Sequence, residues 1–315
     1  MSLPRIGITL GDPGGIGPEI VVKSLSSSPS LPEAHYIIFG SSAVLEEEEK
    51  YLGVSINSSR ISLKEVPTRL VTVRKGAAYK ENGLASFLFF EEAVKAAQKG
   101  EIQALVTAPI SKRSWNLSGI LWRGHTEYLQ QFYPEAIMAF WSEKIKVALL
   151  SHHLPLKEAL GRIRKNILLE FFRILCRSVE RAMPGKYEYL VAGLNPHAGE
   201  AGILGNEEKD EIIPAVEEAR RQGLKISGPY PPDIVFRMAL GHSDTIVIAL
   251  YHDQGLIAFK LEAFDLGVNV TLGMPFIRSS PDHGTAFDIA GKRMASPQSM
   301  IEAIKLAVDL SSGSF

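Results

Sequence analysis

Seven short runs rich in Val, Ile and Leu constrain this chain more than any other feature. They occupy residues 6–10, 36–39, 104–106, 147–150, 189–194, 245–251 and 268–272. A strand with one wet face alternates apolar and polar residues, whereas one covered on both faces need not. None of these runs alternates cleanly, so they predict strands of a mostly parallel sheet. Amphipathic stretches at 86–99, 158–183, 207–222 and 299–310 lie between them and predict helices. Strands alternating with helices place the chain in the α/β class. A length of 315 residues supplies one large or two medium domains. No Pro/Ser linker breaks the pattern, so two domains would be interleaved. The acidic run Glu46 to Glu49 reads as a solvated helix face.

Composition narrows the partners. The formal net charge is −1, which gives no reason to expect nucleic acid or an anionic membrane surface. Cys176 is the single cysteine, set in an apolar helical pattern and expected to be core, and a reducing compartment fits it. No apolar run approaches the ~20 residues that span a bilayer. Residues 5–11 already read as a core strand rather than a leader. The expectation is a cytoplasmic protein with no membrane partner.

Chemistry concentrates after the apolar runs. His153, His197 and His252 each follow one of them, in Leu-Ser-His-His, Leu-Asn-Pro-His and Leu-Tyr-His-Asp. Parallel strands present their C-terminal ends along one sheet edge, where open α/β sheets bind ligands. Three imidazoles there predict a divalent-metal site with positions open to substrate oxygens. A lone loop histidine carries little weight; three at equivalent positions carry much more. His152 competes with His153 for the first position, and spacing does not separate them. Asp253 is a further ligand or a group that orients His252.

Other segments suit anions. Gly11-Asp-Pro-Gly-Gly-Ile-Gly-Pro-Glu19 follows the first run and opens a helix, where free N–H groups favour negative charge. It matches neither a Walker A loop nor a G-x-G-x-x-G fingerprint. Thr107-Ala-Pro-Ile-Ser-Lys112 and Gly124-His-Thr-Glu127 offer hydroxyl, imidazole and ammonium groups. Lys260, Asn269 and Arg278 surround the last run. Residues 281–292 are dense in small residues, His and Asp, suited to wrapping a flat polar group.

The strings GDPGGIGPE, TAPISK, GHTEYL, HLPL, NPHAGE, YHDQGL and VNVTLGMPFIRSSPDHGTAFDIAGK span residues 11–292. In that order they resemble the 4-hydroxythreonine-4-phosphate dehydrogenase family of pyridoxal phosphate biosynthesis. GIGPE and HGTAFDIAGK are also similar to isocitrate and isopropylmalate dehydrogenases. The resemblance implies two interleaved α/β domains with mostly parallel sheets and an active site in the interdomain cleft. The expected cofactor-side domain is 1–118 with 265–315, and the metal, substrate and dimerisation domain is 119–264. It further implies a homodimer with the active site at the subunit interface. The implied metal ligands are His153, His197 and His252, the histidine directly before Leu-Pro-Leu being His153. Implied substrate contacts are His125, Thr126, Lys260, Asn269 and Arg278. The cofactor loop would use His283, Gly284, Thr285, Ala286, Asp288 and Ala290.

The implied reaction is NAD- or NADP-linked oxidation of 4-phosphohydroxy-L-threonine, a small phosphorylated hydroxy acid. The β-keto acid formed then decarboxylates to 3-amino-2-oxopropyl phosphate. A divalent metal (zinc, magnesium or cobalt) would hold the reacting hydroxyl, and Lys260 is the candidate for proton transfer. Pro232, Ile234 and Arg293 depart from the usual family pattern, and residues 236–244 form a short stretch. A paralogue acting on 4-phospho-D-threonate or 4-phospho-D-erythronate is therefore the alternative. A metal-dependent phosphohydrolase would leave the HGTAFDIAG segment without a task, and a silent binding protein would leave the histidines without one.

Overall fold

The computed structural model describes residues 3–26, 31–68, 73–264 and 266–311. Its strands are β1 (Arg5–Thr9), β2 (His35–Gly40), β3 (Ile61–Glu65), β4 (Ala104–Thr107), β5 (Ile137–Trp141), β6 (Lys146–Leu149), β7 (Glu188–Ala192), β8 (Ile226–Tyr230), β9 (Thr245–Ala249), β10 (Val268–Leu272) and β11 (Ile277–Pro281). The chain resolves into two compact units, Met1–Pro134 with Pro275–Phe315, and Glu135–Met274. The unit boundaries fall at 134/135 and 274/275, against the 118/119 and 264/265 expected from the resemblance.

In the first unit the strand order is β3-β2-β1-β4-β11, every neighbouring pair parallel. Ile6, Ile8, Leu105 and Val106 are fully buried, as an all-parallel sheet with both faces covered requires. In the second unit the order is β10-β5-β6-β9-β7-β8. β5 runs antiparallel to both neighbours, and β6, β9, β7 and β8 are parallel. Phe140, Val147, Leu149, Val247, Ala249 and Phe259 form the centre of its core. Burying a side chain of the Leu or Phe class contributes roughly 1.5–3 kcal/mol.

All seven apolar runs are strands; of the four further strands, β5 (Ile-Met-Ala-Phe-Trp) is also apolar throughout, and β3, β8 and β11 are not. β11, Ile-Arg-Ser-Ser-Pro, is buried along its whole length although its sequence is polar. Its polar atoms find partners instead: Ser279 Oγ donates to the Ala303 carbonyl at 2.8 Å, and Arg278 donates to Thr107. β3 and β8 are edge strands of their units, and β8 tolerates Pro229 for that reason.

The helix expected over 158–183 is two helices, Leu156–Leu160 and Lys165–Ala182. Gly161 ends the first, and the Glu211 carboxylate accepts from the Lys165 N–H at 2.7 Å to start the second. The 207–222 stretch begins as a π-turn, Glu208–Ile212, before the α-helix Ile213–Arg221. Pro214 has no N–H to give to the preceding turn, which favours the wider coil there. The acidic run needs a correction. Glu46 and Glu47 are exposed, but Glu48 is buried and pairs with Lys75. Among the described residues no helix is long and apolar enough to cross a membrane.

Candidate active-site groups

The second unit sets the strands that precede the histidines side by side. β6 pairs with β9 and β9 with β7, all parallel, so their C-terminal ends share one edge. His153 follows β6 and His197 follows β7, while His252 follows β9 and opens the helix His252–Ala263. A cavity of about 260 Å³ is lined by His152, His153, Tyr251, His252 and Asp253, with Leu154, Leu156 and Ala159. The rings of His153 and His252 are 5.9 Å apart, and those of His152 and His153 are 5.3 Å apart. His252 Nδ1 lies 2.6 Å from Asp253 Oδ1. The carboxylate accepts, so the proton sits on Nδ1 and the lone pair on Nε2 is left for a ligand. Asp253 therefore orients His252. These imidazoles form a donor set that fits a zinc-class divalent ion.

His197 does not line that cavity. It begins a turn in which His197, Ala198, Gly199, Glu200 and Ala201 all have positive φ, from 41° to 78°. Each non-glycine residue there costs roughly 1–2 kcal/mol. His152 and His153 share the cavity, so both remain in contention for the first position.

Lys260 lies two turns along the helix opened by His252, half-buried. Asn269 sits on β10, and its Oδ1 is buried without a hydrogen-bond partner.

The first unit builds a different group. Arg278 on β11 is 4% exposed. Its Nε and Nη2 donate to Thr107 Oγ1 at 3.1 and 2.8 Å. Nη2 also donates to His125 Nδ1 at 3.0 Å. Burial pushes the guanidinium down to about 10, with Glu127 opposing the shift, so it stays charged at neutral pH. His125 opens the short helix His125–Leu129, with Thr126 buried beside it. Phe90 packs on the imidazole at 4.4 Å and Trp115 meets it edge-on at 5.6 Å. This burial, and secondarily the Arg278 charge, hold the imidazole well below its ordinary pKa. His125 is neutral, and with Nδ1 accepting from Arg278 its proton is on Nε2. That N–H is buried and meets no acceptor. A buried guanidinium beside an unspent N–H is chemistry for binding an anionic oxygen.

The glycine segment 11–19 does something other than the free N–H groups suggested. The N–H groups of Gly14 and Gly15 bond to Asp12 Oδ1 and O, at 2.9 and 3.0 Å. Ile16 donates to the Thr285 carbonyl at 3.0 Å. A Cβ on Gly15 would fall 2.7 Å from that same oxygen, so glycine permits the close approach. The Ile16 N–H thus ties down the segment holding His283, Gly284, Thr285, Ala286, Asp288 and Ala290, which forms neither helix nor strand. Its far limb is tied by Tyr51 to the Gly291 carbonyl, and by Lys23 to the Arg293 and Ala295 carbonyls at 3.0 and 2.8 Å. Glu19 accepts from the Ala295 N–H at 3.0 Å. Arg293, at φ 59°, lies over the Tyr51 ring at 4.5 Å. His283 and Asp288 stay exposed between the two limbs.

A sequence model of the family described as pyridoxal phosphate biosynthetic protein PdxA matches residues 32–307. A 4-hydroxythreonine-4-phosphate dehydrogenase from Sulfurihydrogenibium sp. is 41% identical, over 96% of this chain and 97% of the relative. A relative from Oceanobacillus iheyensis, whose name includes D-threonate 4-phosphate dehydrogenase, is 37% identical over 98% of each chain. The crystal structure of 4-hydroxythreonine-4-phosphate dehydrogenase from Klebsiella pneumoniae superposes with a TM-score of 0.87 at 34% identity. That match covers 98% of this chain and 100% of the other.

Proposed function

Because the chain belongs to the PdxA family, we propose that it oxidises 4-phosphohydroxy-L-threonine with NAD or NADP. The product is a β-keto acid that loses carbon dioxide to give 3-amino-2-oxopropyl phosphate, a step in pyridoxine biosynthesis. The observation that carries the reading is the pair of dissimilar sites on one dehydrogenase chain. One holds imidazoles around a cavity, and the other holds the buried Arg278–His125 pair.

His153, His197 and His252 would hold the divalent ion, which supplies Lewis-acid stabilisation of the developing oxyanion when bound. Zinc, cobalt and magnesium are all candidates. Arg278, His125 and Thr126 would bind an anionic end of the substrate, and Lys260 and Asn269 a polar one. Asn269 Oδ1 is buried and waiting for a donor, as a substrate hydroxyl or ammonium would be. Lys260 is the proposed proton-transfer group. The tethered 283–290 loop would hold the adenosine part of the cofactor.

A homodimer in the cytoplasm completes the reading. On the helix His252–Ala263 and its cap, Ile257, Leu261 and Phe264 are 62%, 80% and 72% exposed. Their i, i+4, i+7 spacing lines up one apolar face on the helix that carries His252 and Lys260. A second copy covering that face would bring a subunit interface to the site. Leu261→Glu is expected to yield monomers in sedimentation velocity and to cost at least tenfold in turnover; a dimer of unchanged activity would reject this face.

The test of function is reduced-nicotinamide formation at 340 nm with metal-replete protein. 4-Phosphohydroxy-L-threonine, 4-phospho-D-threonate and 4-phospho-D-erythronate are compared side by side. Highest kcat/KM on the first, abolished by a chelator, is the expected result. The relative named for D-threonate 4-phosphate makes preference for the second the specific rival. Pro232 and Ile234 are where that preference would be sought. Phosphate release without nicotinamide would reject the dehydrogenase reading.

A further inference from the structure

We propose that Glu208 is the positioning residue for His197, holding the strained turn that presents this imidazole to the metal. The inference rests on the proposed role of His197 as a ligand. After β7 the chain enters a turn with six consecutive positive φ angles, residues 197–202, four of them at residues other than glycine. Such a run persists only where its surroundings over-determine it. Among the described residues the Glu208 carboxylate takes both backbone N–H groups there, whereas Glu207 takes only the Asn195 side chain at 2.8 Å.

Glu208 is 2% exposed although it sits in the acidic stretch Asn-Glu-Glu-Lys-Asp-Glu. Its Oε1 accepts from the backbone N–H groups of Leu194 and Asn195, both at 2.7 Å. Its Oε2 accepts from Asn195 Nδ2 at 2.8 Å. One buried carboxylate therefore takes three donors from the two residues that precede Pro196 and His197. Charge-assisted bonds of this kind are about twice as strong as neutral ones.

The packing is close as well as bonded. A Cβ on Gly199 would lie 2.7 Å from Glu208 Oε2, and one on Gly193 would lie 3.2 Å from Oε1. The glycines thus leave room for this carboxylate within the turn. Glu208 begins the π-turn Glu208–Ile212, and that wider coil sets where its side chain departs. In Glu208→Gln the Leu194 and Asn195 N–H groups keep only a neutral amide oxygen, and Asn195 Nδ2 meets an amide donor where Oε2 accepted, so the left-handed turn can relax to ordinary backbone. His197 then leaves its place while the β7 core remains.

The test measures zinc affinity of the purified full chain by competition with a chromophoric chelator. Wild type, Glu208→Gln, His197→Ala and the double variant are compared, with thermal midpoints recorded beside them. Glu208→Gln is expected to weaken zinc about 10- to 100-fold. In the His197→Ala background the same change is expected to cost less than threefold, because it acts through a side chain already removed. A full loss in both backgrounds would mean a general structural role and overturns the proposal. Wild-type affinity in Glu208→Gln, with His197→Ala weakened, overturns it while leaving His197 as a ligand. Wild-type affinity in His197→Ala overturns the ligand reading and this inference together. Gly199→Ala, which pushes against the same carboxylate, is the second variant if Glu208→Gln does not fold, with the same expectations in both backgrounds.

Discussion

Arg278→Met is expected to lower kcat/KM by about 10³-fold while leaving the thermal midpoint unchanged or raised. The guanidinium is 4% exposed, donates to the Thr107 hydroxyl and the neutral His125 imidazole, and feels the Glu127 carboxylate. Holding a charge out of water is costly, and its fall to about 10 is the sign of that cost. Glu127 offsets part of that cost, and an anionic substrate oxygen adds opposite charge directly at the guanidinium inside a dry site. There a charge-assisted bond contributes about 3–4 kcal/mol, a factor of roughly 10²–10³. Methionine fills similar volume without the charge, and replacing a buried charge by a packed apolar group is often neutral or stabilising. Loss of activity with stability retained therefore separates anion binding from structural support.

Arg278→Lys is expected to rescue little. A single ammonium cannot reproduce the fork that reaches Thr107 and His125 together. Steady-state kinetics on both variants, with scanning calorimetry, make the comparison. A kcat/KM within tenfold of wild type for Arg278→Met would remove Arg278 from substrate binding.

The difference between Arg278 and Glu208 shows what a sequence carries openly. The strands that lead to His153, His197 and His252 advertise themselves, because burial on both faces is met there by apolar side chains. Once β6, β9 and β7 are parallel neighbours, the segments that carry the three histidines leave from one sheet edge, and of the three His153 and His252 line one cavity. β11 gives no such signal. Its Ser-Ser pair and Arg278 are buried because specific partners elsewhere accept and donate to them, and partners are a tertiary property.

Glu208 is hidden for the same reason. Among five acidic residues between 200 and 211 it has no local mark that distinguishes it from its solvated neighbours. The glycine segment misled in the opposite direction. Its donors are suited to an anion, yet they are taken by Asp12 and by Thr285 from the far end of the chain. Local pattern states which groups are available; only the fold states whether they are already used.

Replacing His252 by Ala is expected to lower kcat by about 10³–10⁴ and to weaken zinc by at least a comparable factor. Metal polarisation supplies several kcal/mol to chemistry of this class, and each 1.36 kcal/mol is tenfold in rate. Asp253→Asn tests the orientation of the same ring. Asp253 Oδ1 fixes the proton on His252 Nδ1 at 2.6 Å, so the amide is expected to cost only 10- to 100-fold in zinc affinity. The two neighbouring histidines then divide by the same measurement. His153→Ala is expected to match His252→Ala, and His152→Ala to stay within tenfold of wild type. Both rings face one cavity, so geometry alone leaves the pair unresolved and the zinc titration assigns the ligand. If His152→Ala were the damaging change and His153→Ala the mild one, the first ligand would be His152 and the site would be one residue displaced. If His252→Ala retained both zinc and turnover, the cavity beside β6 and β9 would not be the metal site at all.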